Sequence, residues 1–192
     1  MNRNLILLTT IVLFFTGCVN NKISRIDEKQ QVDLSGRWND TDSRLVSEEM
    51  VKDALSRSWI TEHLEAKGKK PVIVVGIVKN KSSEHIATET FIVDIEREFI
   101  NSGKVKVVQG AADREELRKE RTAQQDFASL ETTKKWGLEK GADLILQGTV
   151  NSITDSNSKE KLIFYQTDLS LTDLETNEKV WIGSKKIKKT IK

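Results

Sequence analysis

An uninterrupted run of branched apolar residues constrains the fold of this chain more than any other feature. Residues 72–78 read Val-Ile-Val-Val-Gly-Ile-Val, and Pro71 stands immediately before them. A strand with one face in water alternates apolar and polar residues, whereas a continuous run predicts a strand that is buried on both faces. A sheet that contains such a strand needs helices packed against it, which predicts an α/β protein.

The pattern on either side of this run predicts the remaining elements. Helices are indicated where apolar residues recur every three to four positions, and the clearest apolar face runs from Phe91 to Ile100. Towards the carboxyl end, alternation predicts three antiparallel strands joined in a meander. The predicted helices are Ser43–Ala66, Thr88–Ser102, Asp113–Asp126 and Ser129–Gly141, and the other predicted strands are Val105–Val108, Leu144–Ile153, Leu162–Leu174 and Val180–Ile191.

The predicted order of elements is therefore α-β-α-β-α-α-β-β-β. This order predicts an α/β (α+β) fold, in which a small mixed, largely antiparallel sheet is flanked by helices. The length of 192 residues suits one such domain together with a targeting segment.

The first eighteen residues predict export and lipid attachment. Arg3 lies in a short amino-terminal region, and the uncharged apolar run Leu5–Phe15 follows it. The run is about eleven residues long, which suits a secretory signal but not the roughly twenty residues that span a bilayer. Phe15-Thr16-Gly17-Cys18 resembles the bacterial lipobox, whose cysteine is acylated with chains such as palmitate and becomes the mature amino terminus. We therefore expect a signal peptide over 1–17 and a lipid anchor at Cys18.

Two further segments follow from this reasoning. Residues 18–35 are predicted to be a lipidated amino terminus and a short flexible linker, and residues 36–192 a globular domain. A polar linker of this length averages only about 23 Å as a coil. Val19 follows the cysteine, whereas an Asp there retains enteric lipoproteins in the inner membrane, so we expect the outer membrane, facing the periplasm.

The sequence offers little material for catalysis. His63 and His85 are its only histidines, and both are expected to be solvated surface residues. Lipidation would use the only thiol, at Cys18, and neither a phosphate-binding loop nor a nucleophile elbow is present. We therefore expect no enzyme activity, no cofactor and no metal. The formal charge of +2, from 31 basic and 29 acidic residues, gives no general attraction to nucleic acid.

Basic residues near the carboxyl terminus leave two interpretations open. They could meet an anionic partner, such as lipid headgroups or an acidic wall polymer. They could equally mark an edge strand whose lysines prevent edge-to-edge aggregation. The cluster consists of Lys185, Lys186, Lys188, Lys189 and Lys192.

Several stretches together resemble one family, the penicillin-binding protein activator LpoB family. They are the residues 35–43, Ser-Gly-Arg-Trp-Asn-Asp-Thr-Asp-Ser; the buried run from Pro71 to Gly76; the loop Asn80–Ile86; Asn101–Val105; Gly141-Ala142-Asp143; and Lys179–Gly183. The resemblance implies a fold like the TolB amino-terminal domain. It also implies docking onto a bifunctional peptidoglycan synthase, a penicillin-binding protein, whose glycosyltransferase and transpeptidase output rises as a result. The family member itself catalyses nothing.

The linker departs from the family pattern. Enteric members carry a long, proline-rich linker that lets an outer-membrane protein reach the inner membrane, whereas residues 19–35 contain no proline. Three explanations remain open: the synthase extends further out, the anchor lies elsewhere, or the domain binds a different partner.

Three functions stay under consideration. The first is a lipid-tethered activator of a peptidoglycan synthase, and the second is a structural or secretion-accessory lipoprotein of the TolB or curli-secretion type, which would form rings. The third is a cell-wall hydrolase that uses unrecognised carboxylates. We expect a monomer that binds its partner through the polar loop after the buried strand and the turn before the first helix. The predicted contact residues are Trp38, Asn39, Asn80, Lys81, Glu84 and His85.

Overall fold

The computed structural model describes residues 23–27, 30–127 and 139–192. Cys18 and most of the helix predicted over Ser129–Gly141 lie outside these residues. Residues 31–192 belong to one compact unit, and residues before 31 belong to another. Within the described part of the first unit, residues 23–27 form neither helix nor strand. In the described ranges no helix has the length and apolar character needed to cross a membrane.

The compact unit contains four described helices and five strands, and the predicted α/β (α+β) class is confirmed. The helices are α1 (Asp40–Ala54), α2 (Trp59–Lys67), α3 (Thr88–Ser102) and α4 (Ala111–Phe127). The strands are β1 (Val72–Lys81), β2 (Lys106–Val108), β3 (Leu144–Ser156), β4 (Lys161–Asp173) and β5 (Lys179–Ile191).

The strands form one mixed sheet in the order β2-β1-β3-β4-β5. β1 lies parallel to both β2 and β3, since helices connect these strands. β3, β4 and β5 are antiparallel neighbours, which confirms the predicted meander. In the described sheet, β2 and β5 are the two edge strands.

The predicted helix Ser43–Ala66 is wrong in its continuity, because α1 and α2 are separate. The indole Nε1 of Trp59 donates to the Ala54 carbonyl at 2.8 Å, and the Arg57 amide also approaches this oxygen. That carbonyl would otherwise accept the next helical hydrogen bond, so the helix ends there. The described order therefore begins α-α-β instead of α-β.

The start of α1 also differs from the prediction. Asn39, not Ser43, caps the helix: its side chain accepts from the Asp42 amide at 3.1 Å. The Asp42 carboxylate in turn accepts from the Asn39 amide at 3.0 Å, which completes a capping box. Ser43 lies inside the first turn and is buried.

The core lies between the sheet and the helices α1 and α3. Phe91, Ile95 and Phe99 on α3 are fully buried, as the apolar periodicity predicts. They pack into a cluster with apolar residues of α1 and with inward-facing residues of β1, β3 and β4. On β4 every second residue from Ile163 to Leu171 is buried, so the alternating pattern defines the face that meets the helices.

Helix α4 contributes no buried residue. Its two large apolar residues, Leu117 and Phe127, are 39% and 88% exposed. Arg118 donates from Nε and Nη2 to the two carboxylate oxygens of Glu139, at 2.8 and 2.9 Å. The highly charged segment therefore forms a solvated helix that ion pairs connect to the rest of the domain.

Candidate partner-binding site

The structure brings together the two stretches that were predicted to bind a partner. The loop after β1 and the turn before α1 lie side by side, because the Trp38 amide donates to Glu84 Oε2 at 3.3 Å. These residues are 46 positions apart in sequence. The two predicted stretches therefore form one continuous candidate site.

Internal hydrogen bonds fix the shape of the loop. Asn80 Nδ2 donates to the Glu84 carbonyl at 2.7 Å, and Ser82 Oγ donates to Asn80 Oδ1 at 2.7 Å. The Ser83 amide donates to Ser152 Oγ on β3 at 3.0 Å, which attaches the loop tip to the sheet. A loop held in this way can present side chains with little loss of entropy on binding.

Trp38 and Asn39 contact other parts of the domain beneath the loop. Trp38 Nε1 donates to Ser43 Oγ at 2.8 Å, and the indole meets the rings of Phe91 and Tyr165 edge-on, at centroid distances of 6.2 and 5.6 Å. The Asn39 side chain caps α1. The structure thus gives both residues contacts within the domain, and their direct contact with a partner stays a prediction.

Three predicted residues face solvent. Asn80, Lys81 and His85 are exposed, while Glu84 is half-buried. Lys81 lies opposite Asn151 in the β1–β3 ladder, at the carboxyl end of β1. The site therefore offers a cation and an imidazole for ion pairs and hydrogen bonds, while the Asn80 amide is engaged within the loop and its contact with a partner stays a prediction.

Tyr165 lies beneath the site and was not among the predicted residues. Its side chain is fully buried, and burial raises the pKa of the phenol, with a further rise from the Glu84 carboxylate. The phenol oxygen has no hydrogen-bond partner of good geometry among the described residues. Alternation along β4 predicts that Tyr165 points inward, but no local pattern predicts its approach to a loop 80 residues away.

A buried ion cluster holds the turn and the amino end of α1 in place. Lys189 Nζ lies 2.6 Å from Asp42 Oδ2 and 2.6 Å from Asp33 Oδ1, and it also donates to the Arg37 carbonyl at 3.0 Å. The side chain of Lys189 is only 10% exposed and that of Asp42 only 7%. Asn39 Nδ2 completes the cluster by donating to Asp33 Oδ1 at 2.7 Å.

Four of the five basic residues of the carboxyl end divide into two sets, while Lys192 is exposed and lies 3.8 Å from Glu160. Lys185 and Lys189 point towards α1 and pair with Glu49 and Asp42. Lys186 and Lys188 are exposed on the other face. The predicted edge position of this strand is confirmed, while the interpretation as a site for an anionic partner stays a prediction.

One histidine prediction is wrong. His85 is exposed as expected, but the His63 side chain is only 8% exposed. Its Nε2 lies 3.6 Å from Asp143 Oδ2, and the same carboxylate oxygen accepts from the Val72 amide at 2.9 Å. His63 thus lies against Asp143, just before β3, and its side chain is largely removed from solvent.

Fold and site together define the class of protein: a small α/β domain with a preformed polar loop at the carboxyl end of β1. Across the ranges 23–27, 30–127 and 139–192, no three residues of the types His, Cys, Asp and Glu are grouped to hold a metal ion.

Comparison with known families is consistent with this class. A family model described as the peptidoglycan-synthase activator LpoB matches residues 42–187, and the chain therefore belongs to the LpoB family. The family consists of non-catalytic envelope lipoproteins known as activators of peptidoglycan synthases. A search among curated protein sequences found no match.

Solved structures show similarity at low identity. The carboxyl-terminal domain of LpoB from Escherichia coli is 18% identical, and the match covers 76% of this chain and 98% of that one at a TM-score of 0.39. The corresponding domain from Salmonella enterica is 17% identical, with 67% and 91% covered and a TM-score of 0.36. Lipoprotein GNA1162 from Neisseria meningitidis is 16% identical, with 62% and 83% covered and a TM-score of 0.42.

The ion cluster predicts a large difference between two adjacent lysines. Replacing Lys189 with Met leaves the buried Asp42 carboxylate without its cation, and we expect a loss of about 3 kcal/mol in the free energy of unfolding. The matched change Lys188→Met affects an exposed side chain and should cost less than about 0.5 kcal/mol. Urea unfolding of both variants measures the difference, and equal midpoints would contradict the proposed importance of the cluster.

Asp33 predicts a dependence of stability on pH. The hydrogen bond from Lys189, followed by that from Gln31, lowers the pKa of Asp33 from 3.8 to about 2. The unfolded chain therefore takes up this proton first, and the stability that Asp33 contributes is lost as the pH falls from 3.8 towards 2. The difference in urea midpoint between the wild type and Asp33→Asn should shrink over this range. A difference that stays constant down to pH 2 would show that Asp33 does not act through its charge.

Proposed function

We propose that this domain binds a peptidoglycan synthase of the penicillin-binding protein type and raises its activity, while catalysing no reaction itself. The observation that carries the proposal is the family match over residues 42–187, which extends from the first turn of α1 into β5. The match thus includes the loop after β1, and it begins at Asp42, which completes the capping box with Asn39. The loop after β1 therefore lies within the matched region, and the Trp38 turn lies directly before it.

The preformed loop is the proposed contact surface. Asn80, Lys81 and His85 project from a rigid support, so ordering them on binding costs little conformational entropy. Lys81 would pair with a carboxylate of the synthase, and the His85 imidazole would donate or accept hydrogen bonds, while the Asn80 amide holds the shape of the loop. Trp38 and Glu84 keep the loop and the turn together, since the Trp38 amide donates to the Glu84 carboxylate.

A lipid anchor at Cys18 is the second part of the proposal. Several acyl chains together hold a protein stably at a bilayer. Tethering at the outer membrane, on the periplasmic side, would raise the effective concentration of the domain near an envelope partner, so a modest intrinsic affinity would be sufficient. The described domain acts as a monomer in this scheme, whereas a secretion-accessory role would require a ring.

The anchor is tested by the variant Cys18→Ser. We expect the wild-type chain to be recovered with membranes and to carry acyl groups at residue 18, because acylation requires the thiol. The variant should lack this modification, as measured by mass spectrometry of the amino-terminal peptide. An unmodified Cys18 in the wild-type chain would refute the lipoprotein assignment.

The activator function is tested with the bifunctional penicillin-binding proteins of the same organism. Adding the purified chain should raise glycan polymerisation and cross-linking by the synthase. The double variant Lys81→Ala with His85→Ala should weaken binding by roughly tenfold in calorimetry, as loss of one or two interface contacts does. Both side chains are exposed, so the variant should unfold at the wild-type urea concentration.

The matched control replaces Lys119 and Lys159, which are exposed on α4 and on the β3–β4 turn. Alanine at both positions removes charge elsewhere on the surface and should leave binding unchanged. Absence of any effect of the chain on synthase output would refute the activator function. Normal stimulation by the Lys81 and His85 variant would instead place the contact surface elsewhere. Light scattering that shows a ring would favour the secretion-accessory alternative.

A further inference from the structure

The outer edge of β5 is open. β5 pairs with β4 along its length, from Lys179 to Ile191. In the part of the chain that the structure describes, no backbone hydrogen bond reaches β5 from its other side. The strand therefore presents a row of unpaired amide and carbonyl groups, which is a template for one more strand.

A cavity of about 600 Å³ lies beside this edge, between the second half of α1 and the first half of β5. Its floor includes Trp181, whose Nε1 donates to Asp53 Oδ2 at 2.8 Å. A Cβ atom at Gly183 would lie 2.2 Å from Cζ2 of this indole, so the glycine is what allows the ring to lie along the strand. A strand added at the edge would direct alternate side chains into the cavity. The lining residues from α1 and the turn after it are Glu49, Met50, Lys52, Asp53, Ser56 and Arg57.

The charges around the cavity favour an acidic occupant. Both acidic residues of the lining are already engaged: Glu49 pairs with Lys185, and Asp53 accepts from Trp181 and pairs with Arg57. Lys52 is exposed and forms no ion pair with any described residue. The strand itself, residues 179–191, contains five lysines and no acidic residue.

We propose that the edge of β5 beside this cavity binds an extended, acidic segment of a partner protein, which adds to the sheet as a strand along residues 180–186. Backbone hydrogen bonds would supply affinity, and the free lysines would select the charge of the segment. A second copy of this chain matches these charges poorly, because its β5 strand carries five lysines and no carboxylate to pair with them. The surface lies at the carboxyl end of α1, about 20 Å along the helix from the loop site. The inference thus goes beyond the proposed function and does not depend on the synthase.

The test uses a defined probe on the full-length chain in detergent micelles. The probe is a fluorescently labelled, capped heptapeptide, Val-Glu-Glu-Val-Glu-Glu-Val, whose glutamates fall on both faces of a strand and can therefore meet Lys52 beside the cavity and Lys186 on the opposite face. One control peptide has lysine for every glutamate, and another has proline for the central valine, which keeps the charge but prevents strand addition. Binding is followed by anisotropy, and amide hydrogen exchange locates the site.

We expect the acidic peptide to bind, to slow exchange in residues 180–186, and to bind at least roughly tenfold more tightly than either control peptide. The double variant Lys52→Glu with Lys186→Glu should lose about the same factor. The matched variant Lys119→Glu with Lys159→Glu changes the net charge equally at distant exposed positions and should bind as the wild type does.

Several results would overturn the inference. Equal binding of the proline peptide would show charge attraction without strand addition, and no slowed exchange in residues 180–186 would place the peptide elsewhere. Protection of this segment without peptide, rising with protein concentration, would identify a second copy of the chain as the occupant. None of these measurements involves the synthase, so a negative result in the synthase assay would not change them.

Discussion

The contact between Lys189 and two carboxylates connects the beginning of the domain to its last strand, which is far away in sequence. Asp33 precedes the first helix, Asp42 lies in its first turn, and Lys189 lies near the end of the last strand. Because Asp42 also completes the capping box with Asn39, the same carboxylate fixes both the start of α1 and its position over β5. The Trp38 turn is held between these points. The Trp38 amide donates to the Glu84 carboxylate, so the position of the loop after β1 also depends on the cluster.

Much of the fold follows from local patterns. The run of branched residues at 72–78 predicts β1, and alternation predicts the β3–β4–β5 meander, because each pattern reflects which faces of a strand are buried. The prediction that the whole run is buried on both faces is wrong at Ile77, which is 66% exposed. The break between α1 and α2 could not be predicted in this way. It depends on the Trp59 indole taking the Ala54 carbonyl, a side-chain contact without a periodic signature. The sequence does contain a pattern that fits the burial of Lys189, since alternation places this residue on the same face as Trp181 and Ile187. A lysine on an edge strand is usually exposed to solvent, however, so the burial was not predicted.

The candidate site was predicted more fully than the contacts that support it. Polar loop composition and the unusual position of Trp38 indicated the two stretches, and the structure joins them. The roles within the site differ, because Trp38 and Asn39 face the domain while Lys81 and His85 face solvent. Tyr165, Ser152 and Asp33 could not be predicted, since each reaches the site from another strand or from before the domain. A site built from one exposed cation, one imidazole and backbone-fixed polar groups is suited to recognition of a protein surface.

The ion cluster also has a mechanical consequence. Asp33 stands at the amino-terminal border of the compact unit and Lys189 near its carboxyl terminus, and a Cβ atom at Gly36 would lie 2.5 Å from the Ile191 side chain. The first and last segments of the unit are thus held together at one place by this ion pair and this packing contact. Tension that enters the unit at residue 31 would act first on the contacts between its first and last segments, which are those of Asp33 with Lys189 and of Gly36 with Ile191. Because the Trp38 turn and the loop after β1 depend on this cluster, tension that separates these segments would also release the candidate site.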